Sequence, residues 1–499
     1  MPRAHRRFAW VLFWVAVFLQ GCAQDPGTSV VFAVSTAPSQ LDPRFATDAT
    51  SARVNRLLYG RLVDFDARSE PRPALADWER ISPVHYRFRL SSDERRFHDG
   101  GELTSADVAA TYRYILDPAN GSPHRAIFNG VARIETPDPD TVEFHLRAPD
   151  PLFPGYLVIG IVPQRYADPN RSLGDSPVGS GPFAFVQRDG DQRVSLRRVV
   201  DGLLVEFVRV KDPTVRVLKL IRGEADIVQN NLPPELVAYL SREGSSRIDT
   251  APGINFSYLG FNLTDPVTGR REVREAIAHA IDREAIIEHL WGGTARPAEA
   301  LLVPENWAGH RGLSAISYDP DRARSLLAAL GHGPDNPLRL SYKTSTDPLR
   351  IRIATAFQQQ LSEVGIELDI RSYDWGTFFG DIKAGRFQLY SLTWVGIRSP
   401  DIFEYVFHST MVPPTGANRG RYLSDAADRL IGQAQAALER EEQAALYREL
   451  QALLHRDLPY IPLWYEDNFV AQGRRVSGYM LAPDGNFDGL AHVRLEDGS

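Results

Sequence analysis

A run of alternating strand and helix patterns between Leu338 and Trp394 restricts the fold of this chain more than any other segment. Residues 338–343 alternate apolar and polar side chains, which is typical of a strand. Asp347 followed by proline then predicts a helix start, and Gly365 predicts its end. A second alternating strand (366–370), a short helix and a third strand (387–394) follow. The segment therefore predicts a βαβαβ unit.

This βαβαβ order favours a mostly parallel sheet in an α/β fold, because parallel strands need crossover connections. In such sheets ligands bind just beyond the carboxyl ends of the strands. Those ends are predicted at residues 344–346, 373–375 and 394–401. The sequence thus indicates a candidate ligand site at one edge of the sheet.

Several other helices can be predicted from caps and apolar spacing. Thr104 and Asp107 resemble a capping box, with Asp in place of Glu, ahead of a helix to about Leu116. Three more helices are expected at residues 272–290, from Asp319-Pro320 to a stop at Gly331, and at 426–455 with a break near Glu439.

The first residues have the composition of a targeting segment. Three arginines precede an unbroken apolar run at 8–19, which is too short to span a bilayer. Leu19-Gln20-Gly21-Cys22 follows and resembles the lipobox of bacterial lipoproteins, in which the cysteine is lipidated and becomes the new N-terminus. The alternative is an ordinary cleaved signal peptide with a coincidental cysteine.

We therefore expect a signal peptide at 1–21 and a lipidated linker at 22–30 that holds the protein to a membrane. Ala23, in place of Asp, favours the outer membrane. Because Cys22 is the only cysteine, the chain has no intramolecular disulfide and no thiol metal site.

Charge and motif content exclude several classes of function. The chain of 499 residues has a net charge of -7 and no basic block after its first residues, so we expect no nucleic-acid partner. Its histidines show no metal-ligand spacing, and we expect neither a metal site nor a cofactor. Nucleophile-elbow, zinc-protease, P-loop and dinucleotide motifs are missing. Gly179-Ser180-Gly181 and His98-Asp99 are interpreted as turns, although a spatially assembled carboxylate pair is left open.

A series of short phrases, in order along the chain, carries a family resemblance. They are Leu41-Asp42-Pro43, Phe97-His98-Asp99-Gly100, Leu103-Thr104-x-x-Asp107-Val108, Gly179-Ser180-Gly181-Pro182-Phe183, Tyr258-Leu259-Gly260-Phe261-Asn262, Val273-Arg274-x-Ala276-Ile277, Ala280-Ile281-Asp282-Arg283, Pro400-Asp401, Gly416-x-Asn418, Tyr422 and Ile461-Pro462-Leu463. Over residues 31–490 the chain resembles the family 5 extracellular solute-binding proteins, which bind peptides, nickel chelates and other solutes.

The resemblance implies a two-lobed periplasmic-binding-protein clamshell of type II-like α/β class. Lobe one would comprise 31–257 with 471–499, including an extra subdomain at 65–165, and lobe two would comprise 258–470. Crossover strands near 256–260 and 468–471 would form the hinge. Ligand would be enclosed between the lobes, which requires tighter binding to the closed form.

The family site coincides with the strand ends predicted above. The backbone of 391–394 could pair with an extended peptide, and Trp375 and Trp394 could wall the pocket, with plain core packing as the alternative for each tryptophan. The candidate ligand-binding residues are Asp48, Tyr258, Ser345, Trp375, Ser391, Trp394, Ile397, Arg398, Asp401 and Arg419.

One departure from the family pattern concerns the ligand. Peptide-binding relatives that grip a free amine carry an Asp three residues after the tryptophan that matches Trp394, and this chain has Ile397 there. Arg398 follows, and it either faces the cleft and suits an anionic group or points to solvent. Asp401 either contacts ligand or only caps the next helix. We therefore expect a ligand without a charged amine at this end.

The resemblance implies the solute-binding component of an ABC importer that delivers a small-molecule or peptide solute to a permease. It would be a periplasm-facing monomer and not an enzyme. Two alternatives are a periplasmic receptor or chaperone that binds peptides or cell-wall fragments without transport, and a hydrolase on the same scaffold.

Overall fold

The computed structural model describes residues 28–91, 95–168, 173 and 176–496, so the targeting segment lies outside the described residues. The strands in chain order are β1 (Ser29–Val34), β2 (Val63–Phe65), β3 (Pro71–Pro73), β4 (Ala76–Ser82), β5 (His85–Leu90), β6 (Val131–Asp138), β7 (Thr141–Leu146), β8 (Phe183–Asp189), β9 (Arg193–Arg198), β10 (Leu204–Arg209), β11 (Ile227–Gln229), β12 (Arg247–Phe261), β13 (Ala295–Pro297), β14 (Leu338–Ser345), β15 (Ile366–Tyr373), β16 (Leu389–Trp394), β17 (Tyr460–Gln472), β18 (Val476–Ser477) and β19 (Arg494–Leu495).

The α-helices are similarly distributed along the chain. They are α1 (Ala49–Leu58), α2 (Ser105–Leu116), α3 (Pro213–Ile221), α4 (Pro234–Glu243), α5 (Arg271–Ala280), α6 (Arg283–Trp291), α7 (Pro320–Ala329), α8 (Pro348–Ser362), α9 (Trp375–Ala384), α10 (Ile402–Phe407), α11 (Asp425–Ala436) and α12 (Arg440–Asp457). Within the described part of the chain, none of these helices is long and apolar enough to cross a membrane.

One large sheet runs through both lobes of the molecule. Its order is β15-β14-β16-β12-β17-β11-β1-β10-β9-β8, with β13 beside β17. The strands β14, β15 and β16 form the sheet of lobe two, while β1 and β8–β11 form that of lobe one. The long strands β12 and β17 lie between these halves and belong to both.

The two long strands are paired antiparallel from Arg247 to Gly260, and a register shift interrupts them between Ala251 and Asn255. Gly253 lies in this irregular stretch, where a Cβ atom would come within 2.0 Å of the Glu466 carbonyl oxygen. Only glycine therefore fits here without moving the partner strand. The irregularity lies where the sheet passes from one lobe to the other.

The predicted βαβαβ unit is confirmed as β14-α8-β15-α9-β16. Asp347 caps α8 by accepting a hydrogen bond from the backbone N–H of Arg350 (3.0 Å), and Gly365 adopts the left-handed conformation after that helix. The pairings β14–β15 and β14–β16 are both parallel. The carboxyl ends of all three strands therefore lie at one edge of the sheet, as predicted.

Other helix predictions are confirmed with one correction. The capping box of α2 is present, since the Asp107 carboxylate accepts hydrogen bonds from the backbone N–H and the hydroxyl of Thr104 (2.8 and 3.0 Å). The helices after Asp319 and on both sides of Glu439 are also present. The single helix predicted at 272–290 is wrong. It breaks at Ile281, because Asp282 caps a new helix by accepting from the N–H of Ala285 (2.9 Å).

Separate apolar cores stabilise the two lobes. In lobe one the C-terminal segment packs into the core, with Tyr479 and Phe487 against Phe32 of β1. A separate core lies between α2 and one face of the four-stranded antiparallel sheet β4-β5-β7-β6. Phe88 and Phe144 are at its centre. Lobe two contains two cores on opposite sides of its sheet. The C-terminal segment therefore shares a core with β1.

The two phrases interpreted as turns, His98-Asp99 and Gly179-Ser180-Gly181, contact each other in the described chain. The Nε2 atom of His98 lies 2.9 Å from the carbonyl oxygen of Gly181, and the backbone N–H of His98 donates to Gly179. A Cβ atom at Gly181 would lie 2.4 Å from the Leu57 carbonyl oxygen. Both phrases therefore hold segments together at close range. His98 and Asp99 lie in a turn, as interpreted, whereas Gly179-Ser180-Gly181 does not form one.

Candidate functional site

A buried guanidinium lies at the centre of the candidate site. Arg419 is 9% exposed, and its Nη1 donates a hydrogen bond to the Tyr258 hydroxyl oxygen at 3.0 Å. No carboxylate among the described residues lies within ion-pair distance of this side chain, although most other buried arginines have one. A guanidinium in this setting can donate hydrogen bonds to an anionic or carbonyl group in the plane of its N–H donors.

The loop that carries Arg419 is held rigidly beside β12. The side chain of Asn418, itself 2% exposed, donates to the Tyr422 carbonyl oxygen (2.7 Å) and accepts from the Tyr422 N–H (2.8 Å). The Leu263 N–H donates to Gly420, where a Cβ would lie 2.7 Å from the Phe261 carbonyl oxygen. The guanidinium is thus positioned by the loop before any ligand arrives.

Aromatic rings surround the guanidinium on two sides. The Arg419 Cζ lies 4.6 Å from the Trp394 ring centroid and 5.3 Å from that of Phe379. Trp375 stacks on Phe379 at 5.4 Å with nearly parallel planes, and is 59% exposed. Tyr405 contacts the edge of Trp394. These four aromatic residues, which we call the aromatic cluster, lead from solvent to the buried cation.

Tyr258 supports this cluster from below and does not line it. Its ring is fully buried, stacked on Tyr460 at 4.0 Å and parallel to Trp394 at 6.5 Å. The hydroxyl that accepts from Arg419 therefore holds the guanidinium in place. Tyr258 positions the site but cannot reach a solute in the cleft.

One backbone edge of β16 is left without a neighbouring strand. The strand pairs with β12 over residues 389–394, whereas β14 pairs only with Leu389 and Tyr390. Within the described chain, the other edge of 391–394 forms no ladder. The Ser391 hydroxyl lies 2.6 Å from that of Tyr342, so this side chain is already engaged.

The residues after β16 are divided between packing and ion pairing. Ile397 is partly buried against the apolar core of lobe two. Arg398 forms an ion pair with Asp484 and lies 5.4 Å from the Phe65 ring centroid. Both partners of Arg398 belong to lobe one. Its guanidinium is therefore engaged in a contact between the lobes, with 19% of the side-chain surface exposed.

Asp401 precedes α10 but makes no side-chain cap hydrogen bond. Burial raises the pKa of its carboxyl to about 6, with the neighbouring Asp150 carboxylate adding to the increase and a hydrogen bond from Ser399 opposing it. Burial also raises the pKa of Asp150. Asp401 thus lies in a buried environment close to Asp150 of the 65–165 segment.

The remaining candidates lie elsewhere and have local partners. Asp48 caps α1, with one carboxylate oxygen accepting from the Ser51 N–H (2.9 Å) and the other from the Ser39 hydroxyl (2.8 Å). The Ser345 hydroxyl accepts from the Asp347 N–H (3.4 Å) at the start of α8. No contact joins either residue to Arg419 in the described chain.

Two members of the aromatic cluster and one charged partner were not among the residues predicted from the sequence. Phe379 lies four residues after Trp375 on α9, and this helical spacing could have indicated it. Tyr405 and Asp484 carry no comparable signal. The contact between Asp484 and Arg398 exists only because the C-terminal segment returns to lobe one.

The fold and the site together define a class of protein: a two-lobed binding protein with its candidate site at the sheet edge between the lobes. The sequence model of the bacterial extracellular solute-binding proteins, family 5, matches residues 70–411. This match covers more than half of the chain, and the chain belongs to that family. It is the solute-binding component of an ABC importer that works outside the cytoplasm, and it is not an enzyme.

Relatives match over nearly the whole length. Di/tripeptide-binding protein 2 of Pseudomonas aeruginosa is 27% identical over 536 residues, covering 99% of this chain and 100% of that protein. The glutathione-binding protein GsiB of Escherichia coli is 27% identical and is covered over 98% of each chain.

Solved structures show the same fold. DppA from Helicobacter pylori, in complex with the peptide STSA, superposes with a TM-score of 0.77 at 26% identity, covering 95% of this chain and 99% of that one. The substrate-binding protein CtaP from Listeria monocytogenes gives a TM-score of 0.85 at 24% identity, covering 94% and 99%.

Proposed function

We propose that the imported solute is a peptide-like molecule whose carboxylate is bound by Arg419. The observation that carries this proposal is the buried guanidinium without a carboxylate partner among the described residues. A buried charge is costly unless it is paired, and a solute carboxylate would supply the missing partner. The peptide-binding relatives support a solute of this class.

Arg419 suits this role better than Arg398 does. Arg398 already has a sheltered carboxylate partner in Asp484, whereas Arg419 donates only to a neutral hydroxyl through Nη1. A planar guanidinium can bind a carboxylate with two parallel hydrogen bonds. We therefore assign the anionic end of the solute to Arg419.

The free backbone edge of 391–394 supports main-chain pairing with an extended solute. Strand addition of this kind provides affinity through backbone hydrogen bonds and little side-chain specificity. Trp375 and Trp394 would flank the bound chain, because both belong to the aromatic cluster around Arg419. Such a site would accept short peptides of varied sequence.

The end of the solute near Ile397 is proposed to be neutral or blocked. Ile397 packs on an apolar core. The Asp484 carboxylate forms an ion pair with the adjacent Arg398, so it is not available to an amine. A charged amine placed there would lose its hydration without an ionic partner, which costs several kcal/mol. An N-acylated peptide or a sugar-linked fragment avoids that cost.

Calorimetry with four matched tripeptides tests both ends of this proposal. The peptides carry either a free or an acetylated N-terminus, combined with either a free or an amidated C-terminus. Wild-type protein should prefer the acetylated peptides with a free carboxylate. Arg419→Gln should weaken binding of the carboxylate peptides by about tenfold or more and leave the amides unchanged. Arg371→Gln, on the exposed face of β15, serves as the control.

Two outcomes would contradict the assignment. Equal losses for carboxylate and amide peptides in Arg419→Gln would show that Arg419 acts through the fold rather than on the solute. Tighter binding of free-amine peptides by wild type would overturn the proposal for the Ile397 end. Ile397→Asp should create a preference for a free amine if that proposal holds.

We also propose how the protein is held at the membrane. Cys22 lies outside the described residues, and its lipobox-like context supports lipidation. The anchor would hold a monomer on the outer membrane, facing the periplasm, within reach of the importer's permease. We also propose that residues 31–257 with 471–499 form one lobe and residues 258–470 the other. The limits at 257/258 and 470/471 lie within β12 and β17, the two long strands that connect the halves of the sheet.

A further inference from the structure

The outer face of the four-stranded sheet brings together two histidines and two glutamates from three strands. His85 on β5 lies opposite His145 on β7, and Glu135 on β6 lies opposite Glu143 on β7. Their neighbours in sequence, such as Tyr86 and Phe144, point the other way into the apolar core. The alternation of strand side chains therefore puts all four polar groups on one face.

The distances within this group match those between the ligands of one ion. The His85 Nε2 and Glu143 Oε2 atoms are 3.0 Å apart, and the His145 Nε2 atom lies 3.9 Å from the same oxygen. Ligand atoms of His85, Glu143 and His145 all lie within 4.8 Å of one another. Tetrahedral Zn²⁺ holds its N and O ligands about 3.4 Å apart, as its bonds of about 2.0–2.1 Å require. The observed separations lie on either side of that value. The two imidazoles are stacked with ring centroids 4.1 Å apart, so the rings must tilt for both Nε2 atoms to face one ion.

Neighbouring side chains complete the arrangement. Arg87 Nε binds the Oε1 atom of Glu143 at 2.7 Å, which leaves Oε2 directed at the two imidazoles. Glu135 Oε2 lies 3.0 Å from His145 Nε2 and is about half exposed. It can approach as a fourth ligand once Arg133, which lies 3.3 Å from Glu135 Oε1 and 3.4 Å from His145 Nε2, moves aside. The imidazoles themselves are largely sheltered, with 18% and 19% of their side-chain surface exposed. Hydrogen-bonded partners of this kind orient metal ligands.

We propose that His85, His145 and Glu143, with Glu135 as the fourth ligand, form a Zn²⁺-type transition-metal site on the outer face of this sheet. Imidazole nitrogen with carboxylate oxygen is a donor set that suits Zn²⁺. The site would tie β5, β6 and β7 together. This metal site is separate from the aromatic cluster and includes no part of the solute site. Solute binding is therefore expected not to depend on the metal. Spacing along the chain predicts no metal site here, because it cannot show which residues become neighbours across strands.

Titration of the tag-free mature chain with Zn²⁺ alone tests the site. Cys22→Ser is introduced in every sample so that the thiol cannot bind metal. We expect one ion per chain, and His85→Ala or His145→Ala should weaken binding at least about tenfold, since even outer partners of metal ligands cost that much. His279→Ala is the matched control, because this histidine bonds only to the Ser317 carbonyl oxygen. Unchanged affinity in both ligand variants would overturn the proposal.

Co²⁺ added to the unmutated site provides a second, spectroscopic readout. A four-coordinate site gives intense visible absorption, which Zn²⁺ should displace at one equivalent. No such band, or a band that persists in the double variant of His85 and His145, would contradict the site. Peptide affinity measured with and without Zn²⁺ should be equal.

Discussion

Arg398, which follows β16 of lobe two, forms an ion pair with Asp484 in the C-terminal segment that packs into lobe one. Both side chains are sheltered, with 19% and 5% of their surface exposed. The backbone contact from the Trp307 N–H to the Arg68 carbonyl oxygen (3.1 Å) also joins the lobes. The ion pair can exist only when the lobes touch, so it stabilises that arrangement relative to a separated one.

Removal of this ion pair should weaken solute binding without touching the solute. In Arg398→Ala, the Asp484 carboxylate would be buried without an ionic partner when the lobes are closed, and hydrated when they separate. We expect solute affinity to fall by about 1–3 kcal/mol, because an unpaired buried charge penalises the closed form. Calorimetry with one tripeptide measures the change.

A double-mutant cycle with Asp484→Ala distinguishes the pair from independent effects. The two single losses should add to more than the loss in the double variant, with a coupling of about 1 kcal/mol or more. Arg371→Ala breaks an exposed pair with Asp369 inside lobe two and should have little effect. Strictly additive losses would show that Arg398 and Asp484 do not act together.

Trp394→Ala should weaken solute binding by about 2–4 kcal/mol if the ring acts as a buried aromatic anchor. The ring also covers one side of Arg419 at 4.6 Å, so its removal leaves the cation more hydrated and less fixed. Trp394→Phe should retain most of the affinity. A folded Trp394→Ala protein with wild-type affinity would assign this residue to packing alone.

Solute binding should change tryptophan fluorescence through the exposed member of the aromatic cluster. Trp375 is 59% exposed, and a bound chain beside it would remove water from the indole and shift its emission to shorter wavelength. Trp375→Phe should abolish most of this shift. Trp464→Phe is the control, because that ring is fully buried in lobe two. A shift that survives in Trp375→Phe would place the solute elsewhere.

The contribution of Asp401 to stability should decrease as the pH rises from about 4 to above 6. Burial raises the pKa of Asp401 from 3.8 to about 6, so in this window the folded protein holds a proton that the unfolded chain releases. Each unit of difference corresponds to about 1.4 kcal/mol, which limits the decrease in unfolding free energy to roughly 3 kcal/mol. Asp401→Asn should flatten the profile in denaturant unfolding. Parallel profiles for both proteins would refute this assignment.

Cys22→Ala should release the protein from membrane fractions or leave its signal peptide uncleaved. The reason is that lipid attachment at Cys22 would be the only anchor predicted for this chain. Fractionation and mass spectrometry of the mature N-terminus measure both effects. Cleaved protein that stays on the membrane would show that something other than Cys22 holds it there.

Features that depend on neighbouring residues could be predicted from the sequence. Asp347, Gly365 and the alternating strands identify the βαβαβ unit because capping and side-chain alternation act over a few residues. The same local logic placed Trp375 and Trp394 at strand ends on one edge of the sheet. It failed at Ile281, where a capping Asp divides what apolar spacing alone extends as one helix.

Features that depend on the assembled chain could not be predicted. The cross-strand meeting of His85 with His145 depends on the register of β5 and β7, which no local pattern determines. Asp484 pairs with Arg398 because the last segment folds back onto β1, and the sequence marks neither partner for the other. Arg419 was a candidate by resemblance, but its lack of a carboxylate partner became visible only with its surroundings.

The irregular pairing around Gly253 has a mechanical consequence. β12 and β17 are hydrogen-bonded to each other on both sides of this irregular stretch. Relative motion of the lobes would therefore bend a two-stranded ribbon, and not a pair of unpaired linkers. A flexed ribbon resists in proportion to its bend and returns elastically. The backbone pairing of β12 with β17 would then stay intact through each cycle of loading and release, while only the contacts between the lobes break and re-form.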